Sequence, residues 1–121
     1  MKIWRVHYLM VSKGDIWLAK LNPVKKNNEI GKVRPVVIFQ TNELNQSDYP
    51  TTIVLPLTTS LVDDAEPLRM RIAKREKLLK DSDLILAQIR AIDNSRFVEK
   101  LGAISDIEME KIKELFDEII E

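Results

Sequence analysis

The chain has 121 residues, 45% of them hydrophobic and 31% charged, which is enough for one domain with a real core and too little for two. It has no cysteine, a single histidine and no 18-residue apolar run, which excludes disulfides, thiolate chemistry, zinc ribbons and a helical membrane span. A formal charge of zero hides an asymmetry: residues 1–104 carry 17 Lys/Arg against 12 Asp/Glu, and residues 105–121 carry two against seven, so a basic body suited to a polyanionic partner ends in an acidic tail.

The opening segment, Met1 to Met10, mixes charge into its apolar residues and lacks a cleavage site; it is no signal peptide, and a cytoplasmic protein is expected. Asp15 to Leu21 is a short apolar run closed by Asn22-Pro23 and reads as a strand. Residues 24–33 are polar and aperiodic and read as a loop. Pro35 to Gln40 and Thr51 to Leu57 are rich in β-branched residues and read as buried strands, separated by a turn-forming segment from Asn42 to Asp48. Leu68 to Ile72 alternates, which predicts a strand with Arg69 and Arg71 facing solvent or a ligand. Leu84 to Ile92 reads as one central strand, with Asp93-Asn94 as the turn after it and a short strand from Phe97 to Leu101. Ser105 with Glu108 three residues on is a capping box, and Met109, Ile112, Leu115, Phe116, Ile119 and Ile120 recur at helical spacing. With no repeat or linker to divide it, the chain is expected to be one mainly-β (α+β) domain: a small, strongly bent barrel with a terminal amphipathic helix at its edge.

Few residue types remain for chemistry. His7 stands alone, so neither a Ser-His-Asp triad nor a two-histidine mechanism is supported. Asp63, Asp64 and Glu66 beside Pro67 read as a solvated turn, and Gly14, Gly31 and Gly102 are too far apart for a phosphate loop. No metal and no cofactor are expected. Cleavage without such groups is possible when the substrate brings its own nucleophile, as RNA does with its 2′-hydroxyl. The enzyme then needs a fixed cation and hydrogen-bond donors for the developing negative charge, and arginine supplies both. Arg34 precedes Pro35, which biases it to an extended conformation where a buried strand begins. Taken alone, an arginine there is more often a surface charge. Thr58-Thr59-Ser60 at a strand end is more often an ordinary turn, and Gln88, Arg90, Asn94 and Arg96 read singly as solvated.

In order, however, these segments resemble the MazF/PemK/Kid toxins from about Lys13 to the C-terminus. The resemblance rests on Gly14-Asp15-Ile16-Trp17 with Leu21-Asn22-Pro23, then Glu29 followed by Arg34-Pro35-Val36-Val37, then Leu55-Pro56-Leu57-Thr58-Thr59-Ser60, then Gln88-Ile89-Arg90-Ala91-Ile92-Asp93 leading to Arg96. It implies an SH3-like barrel of the PemK/CcdB type and a homodimer. It also implies metal-independent cleavage of single-stranded RNA or mRNA at short sequence motifs, leaving a cyclic phosphate. An acidic cognate antitoxin of the MazE/PemI kind would lie in the basic groove and block it. By position Arg34 is similar to the family's catalytic arginine, expected to stabilise the phosphorane and to shuttle a proton. Thr58 is similar to the paired threonine, expected to hydrogen-bond a non-bridging oxygen. Glu29 matches a loop acid near the same site and is the first candidate for an otherwise unassigned general base. Gln88, Arg90 and Arg96 match residues near the RNA groove, and Lys32, Thr59, Ser60 and Asn94 are expected to join them.

Some positions depart from the pattern. Lys26-Asn27-Asn28 stand where the family often has a glycine, and Ile85 and Ala87 stand where one relative has an arginine and an aspartate, so those two roles are not carried over. Residues 1–9 fall outside the resemblance and Met10 is an alternative start, so residues 1–12 read as an extension and 13–121 as the toxin domain. Two other readings share the barrel: a non-catalytic gyrase poison, and an RNA-binding barrel without cleavage.

Overall fold

The computed structural model describes residues 11–21 and 33–121. Strands form where β-branched and apolar residues alternate: β1 (Asp15–Lys20), β2 (Val33–Ile38), β3 (Thr51–Thr58), β4 (Arg69–Ile72), β5 (Ser82–Ile85), β6 (Arg90–Asp93) and β7 (Phe97–Ala103). They make one antiparallel sheet in the order β4-β5-β3-β2-β1-β7, with β6 also paired to β3. The architecture is the mainly-β one expected. The sheet is nevertheless open rather than a closed barrel, since among the described residues β7 pairs with neither β4 nor β6. Against β7, β1 breaks register between Ile16 and Trp17 and again between Leu18 and Ala19, and such bulges bend a sheet.

Three expectations are corrected. β2 begins at Val33, two residues before the predicted start, because Val33 and Arg34 continue the ladder to Lys20 and Ala19 of β1; Val33 therefore belongs to the strand and not to the expected loop, the rest of which lies outside the described residues. The turn from Asn42 to Asp48 opens with one helical turn, α1 (Asn42–Asn45). Its Asn45 side chain donates to the Gln40 carbonyl at 3.0 Å.

The single strand predicted over Leu84 to Ile92 is two strands split by a 3-10 turn, Leu86–Gln88. β6 pairs with Thr51–Val54 of β3 and β5 with Leu57 and Thr58. The break therefore lies opposite Pro56, which has no N–H to give to a ladder. Leu86 turns into the core while Ala87 and Gln88 are exposed.

The pleat sends neighbouring residues to opposite faces. Val37, Leu55 and Leu57 join Ile16, Met70, Ile72, Leu84 and Leu86 on one side, whereas Val36, Ile38 and Val54 join Val11, Ala19, Leu21, Ile92 and Phe97 on the other. The first cluster is closed by α2 (Asp106–Ile120), whose Ile112 and Leu115 are buried. Phe116 meets Phe39 edge to face at 5.5 Å, and Ile120, 62% exposed, lies off the buried stripe. The expected capping box is present: Ser105 accepts from the Glu108 N–H and Glu108 accepts from the Ser105 N–H. Glu108 is also gripped by Arg75 from the β4–β5 connection, with Nη1 to Oε1 at 2.6 Å and Nη2 to Oε2 at 2.8 Å.

Two stability predictions follow from this docking. Ile112→Ala should cost about 2–5 kcal/mol in urea unfolding, since it empties a fully buried site under the sheet. The Arg75 hydrogen bond holds the Glu108 carboxyl below its ordinary value, against the opposing effect of burial. A carboxylate whose pKa is depressed on folding stabilises the native state above the unfolded pKa and loses that contribution as pH falls through the folded one. Glu108→Gln keeps the cap acceptor and removes the charge, so it should lower the urea midpoint at pH 7 and make the midpoint fall less steeply below about pH 5.

Candidate functional site

Arg34 stands opposite Ala19 in the β1–β2 ladder. In the β2–β3 ladder Val36 faces Pro56, and continuing that register two residues brings position 34 level with 58. Both side chains line one cleft of about 260 Å³, together with Arg69, Gln88 and Arg90 and the apolar Leu21, Pro56, Leu57 and Ile85. The Thr58 hydroxyl accepts the Ser60 N–H at 3.1 Å, a local turn bond that orients the oxygen and leaves its own proton to donate. Gln88 reaches the cleft because the 3-10 turn opposite Pro56 turns it out of the sheet. Arg90 donates from Nη2 to the Leu21 carbonyl at 2.9 Å, which fixes its guanidinium at the end of β1.

The other expected residues divide. Thr59 lines an adjoining cleft of about 370 Å³ that Arg34 also lines. Ser60 is exposed and uses its carbonyl to accept Arg69 Nη1 at 2.8 Å. Arg96 donates to the Lys20 carbonyl at 3.4 Å, one residue from the carbonyl held by Arg90. Asn94 serves the fold at both ends of its amide: it accepts the Thr52 hydroxyl at 2.6 Å and donates to the Tyr49 carbonyl at 2.6 Å. Glu29, Lys32 and His7 lie outside the described residues.

Arg69 is the cleft residue that sequence reasoning missed. Alternation in β4 marked it as facing solvent or a ligand, but its placement depends on Asp83, which belongs to no motif and is adjacent to it only in space. Asp83 sits on β5 opposite Thr58 and is 1% exposed. It accepts Arg71 Nε at 2.6 Å, the Val62 N–H at 2.8 Å and Arg69 Nη1 at 3.2 Å. Burial alone would raise this carboxyl's pKa; the bonds from Arg71, Val62 and Arg69 outweigh it and hold the group below the ordinary carboxylate value. Arg71 also meets Asp63 at 2.8 Å, and Glu66 meets Lys111 at 2.7 Å, so two of the three acids in the expected solvated turn are ion-paired.

The electrostatic result is a cleft lined by three guanidiniums and no carboxylate among the described residues. Such a lining has the chemistry to hold a phosphodiester and to stabilise charge that develops on it, with one hydroxyl donor. No His, Asp or Glu is among the described residues that line it, so a proton acceptor has to come from another segment or from the substrate itself.

The family described as PemK-like, MazF-like toxin of type II toxin-antitoxin system matches residues 12–120. The endoribonuclease MazF of Staphylococcus saprophyticus is 39% identical over 109 residues, which is 89% of each chain. Solved structures share the fold at low identity. A MazE-MazF crystal structure from Deinococcus radiodurans matches with a TM-score of 0.75 and 15% identity, over 92% of this chain and 96% of that one. A mycobacterial endoribonuclease in complex with its cognate antitoxin matches with a TM-score of 0.68 and 15% identity, over 92% and 93%. By a family match that spans nearly the whole chain and a relative this similar, the chain belongs to the PemK-like, MazF-like toxins of type II toxin-antitoxin systems.

Proposed function

We propose that this toxin is an endoribonuclease that cuts single-stranded RNA by attack of the 2′-hydroxyl on its own 3′-phosphate, with Arg34 and Thr58 as the catalytic pair. The observation that carries the reading is their convergence on one cleft rich in arginine and free of carboxylates among its described lining. In the step, the O2′–P bond forms, the P–O5′ bond breaks, the 2′-hydroxyl proton leaves and the 5′ oxygen gains one; the products are a cyclic phosphate and a 5′-hydroxyl end. Arg34 stabilises the negative charge of the phosphorane and Thr58 donates to a non-bridging oxygen. Glu29 is the candidate base. No metal has a role in this scheme, because fixed cations take the place of a Lewis acid.

Gln88 and Arg90 line the cleft where a base or a neighbouring phosphate would lie, which suits recognition of a short sequence motif. We assign the toxin a cytoplasmic site of action on mRNA, a homodimeric state and an acidic antitoxin that occupies the arginine cleft as an RNA mimic. The named relatives, a MazE-MazF assembly and an endoribonuclease with its cognate antitoxin, support that partner class.

Purified protein incubated with RNA in EDTA should yield discrete fragments ending in cyclic phosphate, and a single 2′-deoxy substitution at the mapped cut should abolish cleavage there. Arg34→Ala should lower the rate on the order of 100- to 1000-fold, as loss of an oxyanion donor does. Full activity of that variant, or intact RNA with poisoning of gyrase instead, would overturn the assignment.

A further inference from the structure

Arg69 is a built cation rather than a stray surface charge. Its Nη1 is spent on the Ser60 carbonyl and the buried Asp83 carboxylate, so the planar group is anchored along one edge. Among the described residues Nε and Nη2 make no hydrogen bond, and the side chain is 25% exposed. It lines the same cleft as Arg34, Thr58 and Arg90. Arg71, which shares Asp83, does not line that cleft, and its guanidinium is occupied by Asp83 and Asp63.

The surface changes sign at Arg69. Beyond it lies a larger cleft of about 700 Å³, lined by Asp63, Asp64, Glu66 and Asp83 against Arg69 and Arg71. Four carboxylates to two guanidiniums repel a polyanion, so a phosphodiester chain that follows Arg90 and Arg34 meets its last cation at Arg69 and has to turn away there.

We infer that Arg69 binds an RNA phosphate flanking the scissile one, and that it marks the end of the cationic track through the site. The inference rests on reading the Arg34–Thr58 cleft as the RNA site. A guanidinium pre-anchored on one edge suits the role, since it presents a fixed pair of donors and loses little conformational freedom when the phosphate arrives.

The test is equilibrium binding of the full-length protein to a single-stranded RNA oligonucleotide over a range of salt concentrations, with one 2′-deoxy residue at the mapped cut where the protein cleaves. Arg69→Ala removes the group. Arg69→Gln keeps an N–H donor for the Ser60 carbonyl and removes the charge, so it reports on binding even if the alanine variant folds poorly. Arg71→Gln is the matched control, because it disturbs the same carboxylate without touching the arginine cleft.

Both Arg69 variants should weaken binding on the order of tenfold and lower the slope of log affinity against log salt by about 0.7, the share of one single-strand phosphate contact. Arg71→Gln should leave both unchanged. A wild-type salt slope in the folded Arg69 variants, or an equal loss in Arg71→Gln, overturns the inference even when Arg34→Ala abolishes cleavage. Arg69-dependent binding by a protein that cuts no RNA would sustain the phosphate contact and refute the ribonuclease reading. Absence of RNA binding by the wild-type chain would refute both.

Discussion

β3 carries hydrogen-bonded partners along both edges, and one residue in it cannot complete a ladder. β2 pairs along one edge, and β6 and then β5 pair along the other. Pro56, lacking an N–H, lies where the second edge changes partner. The strand that would have run straight past it buckles into the Leu86–Gln88 turn, which buries Leu86 and moves Gln88 outward. That missing donor brings together the parts of the site: Arg34 from β2, Thr58 from the end of β3, Gln88 from the buckle and Arg90 from the strand that resumes after it.

Carboxylates then sort the cations. Arg71 is committed to Asp83 and Asp63, and Arg75 to Glu108; neither lines the arginine cleft. Arg69 gives only one nitrogen to Asp83, and Arg90 gives one to a backbone carbonyl. Two carboxylates on one guanidinium offset its charge fully, whereas one carboxylate shared between two arginines, or a backbone carbonyl, orients the group and leaves charge available. Three guanidiniums thereby line one cleft, while the acids of the segment before β4 line the neighbouring one.

A site of this composition relies on preorganised charge more than on proton chemistry. With no His, Asp or Glu among the described residues that line it, the cleft offers guanidinium and hydroxyl donors whose positions are set by the sheet, the arrangement that the proposed stabilisation of a pentacovalent phosphate requires. Preorganisation of this kind costs the fold stability, because like charges are held together; Asp83, which holds Arg69, offsets part of that cost.

Much was legible in the residues alone. Alternation and β-branching located the strands, Ser105 and Glu108 placed the helix start, and the order of motifs singled out Arg34 and Thr58, because local propensity and short-range spacing survive in one dimension. What they left undetermined was set by contacts between distant segments. Leu84 to Ile92 reads as one strand on its own, and only Pro56, some thirty positions earlier in sequence, breaks it. Asn94 looks like a polar turn residue available to a ligand until Thr52 and Tyr49 claim its amide. Arg69 and Arg71 are equivalent by alternation, two residues apart on one strand, and tertiary packing alone commits Arg71 to two carboxylates and leaves Arg69, held to Asp83 through Nη1 only, in the lining of the cleft, because a carboxylate's partners are chosen by distance in space and not by spacing along the chain.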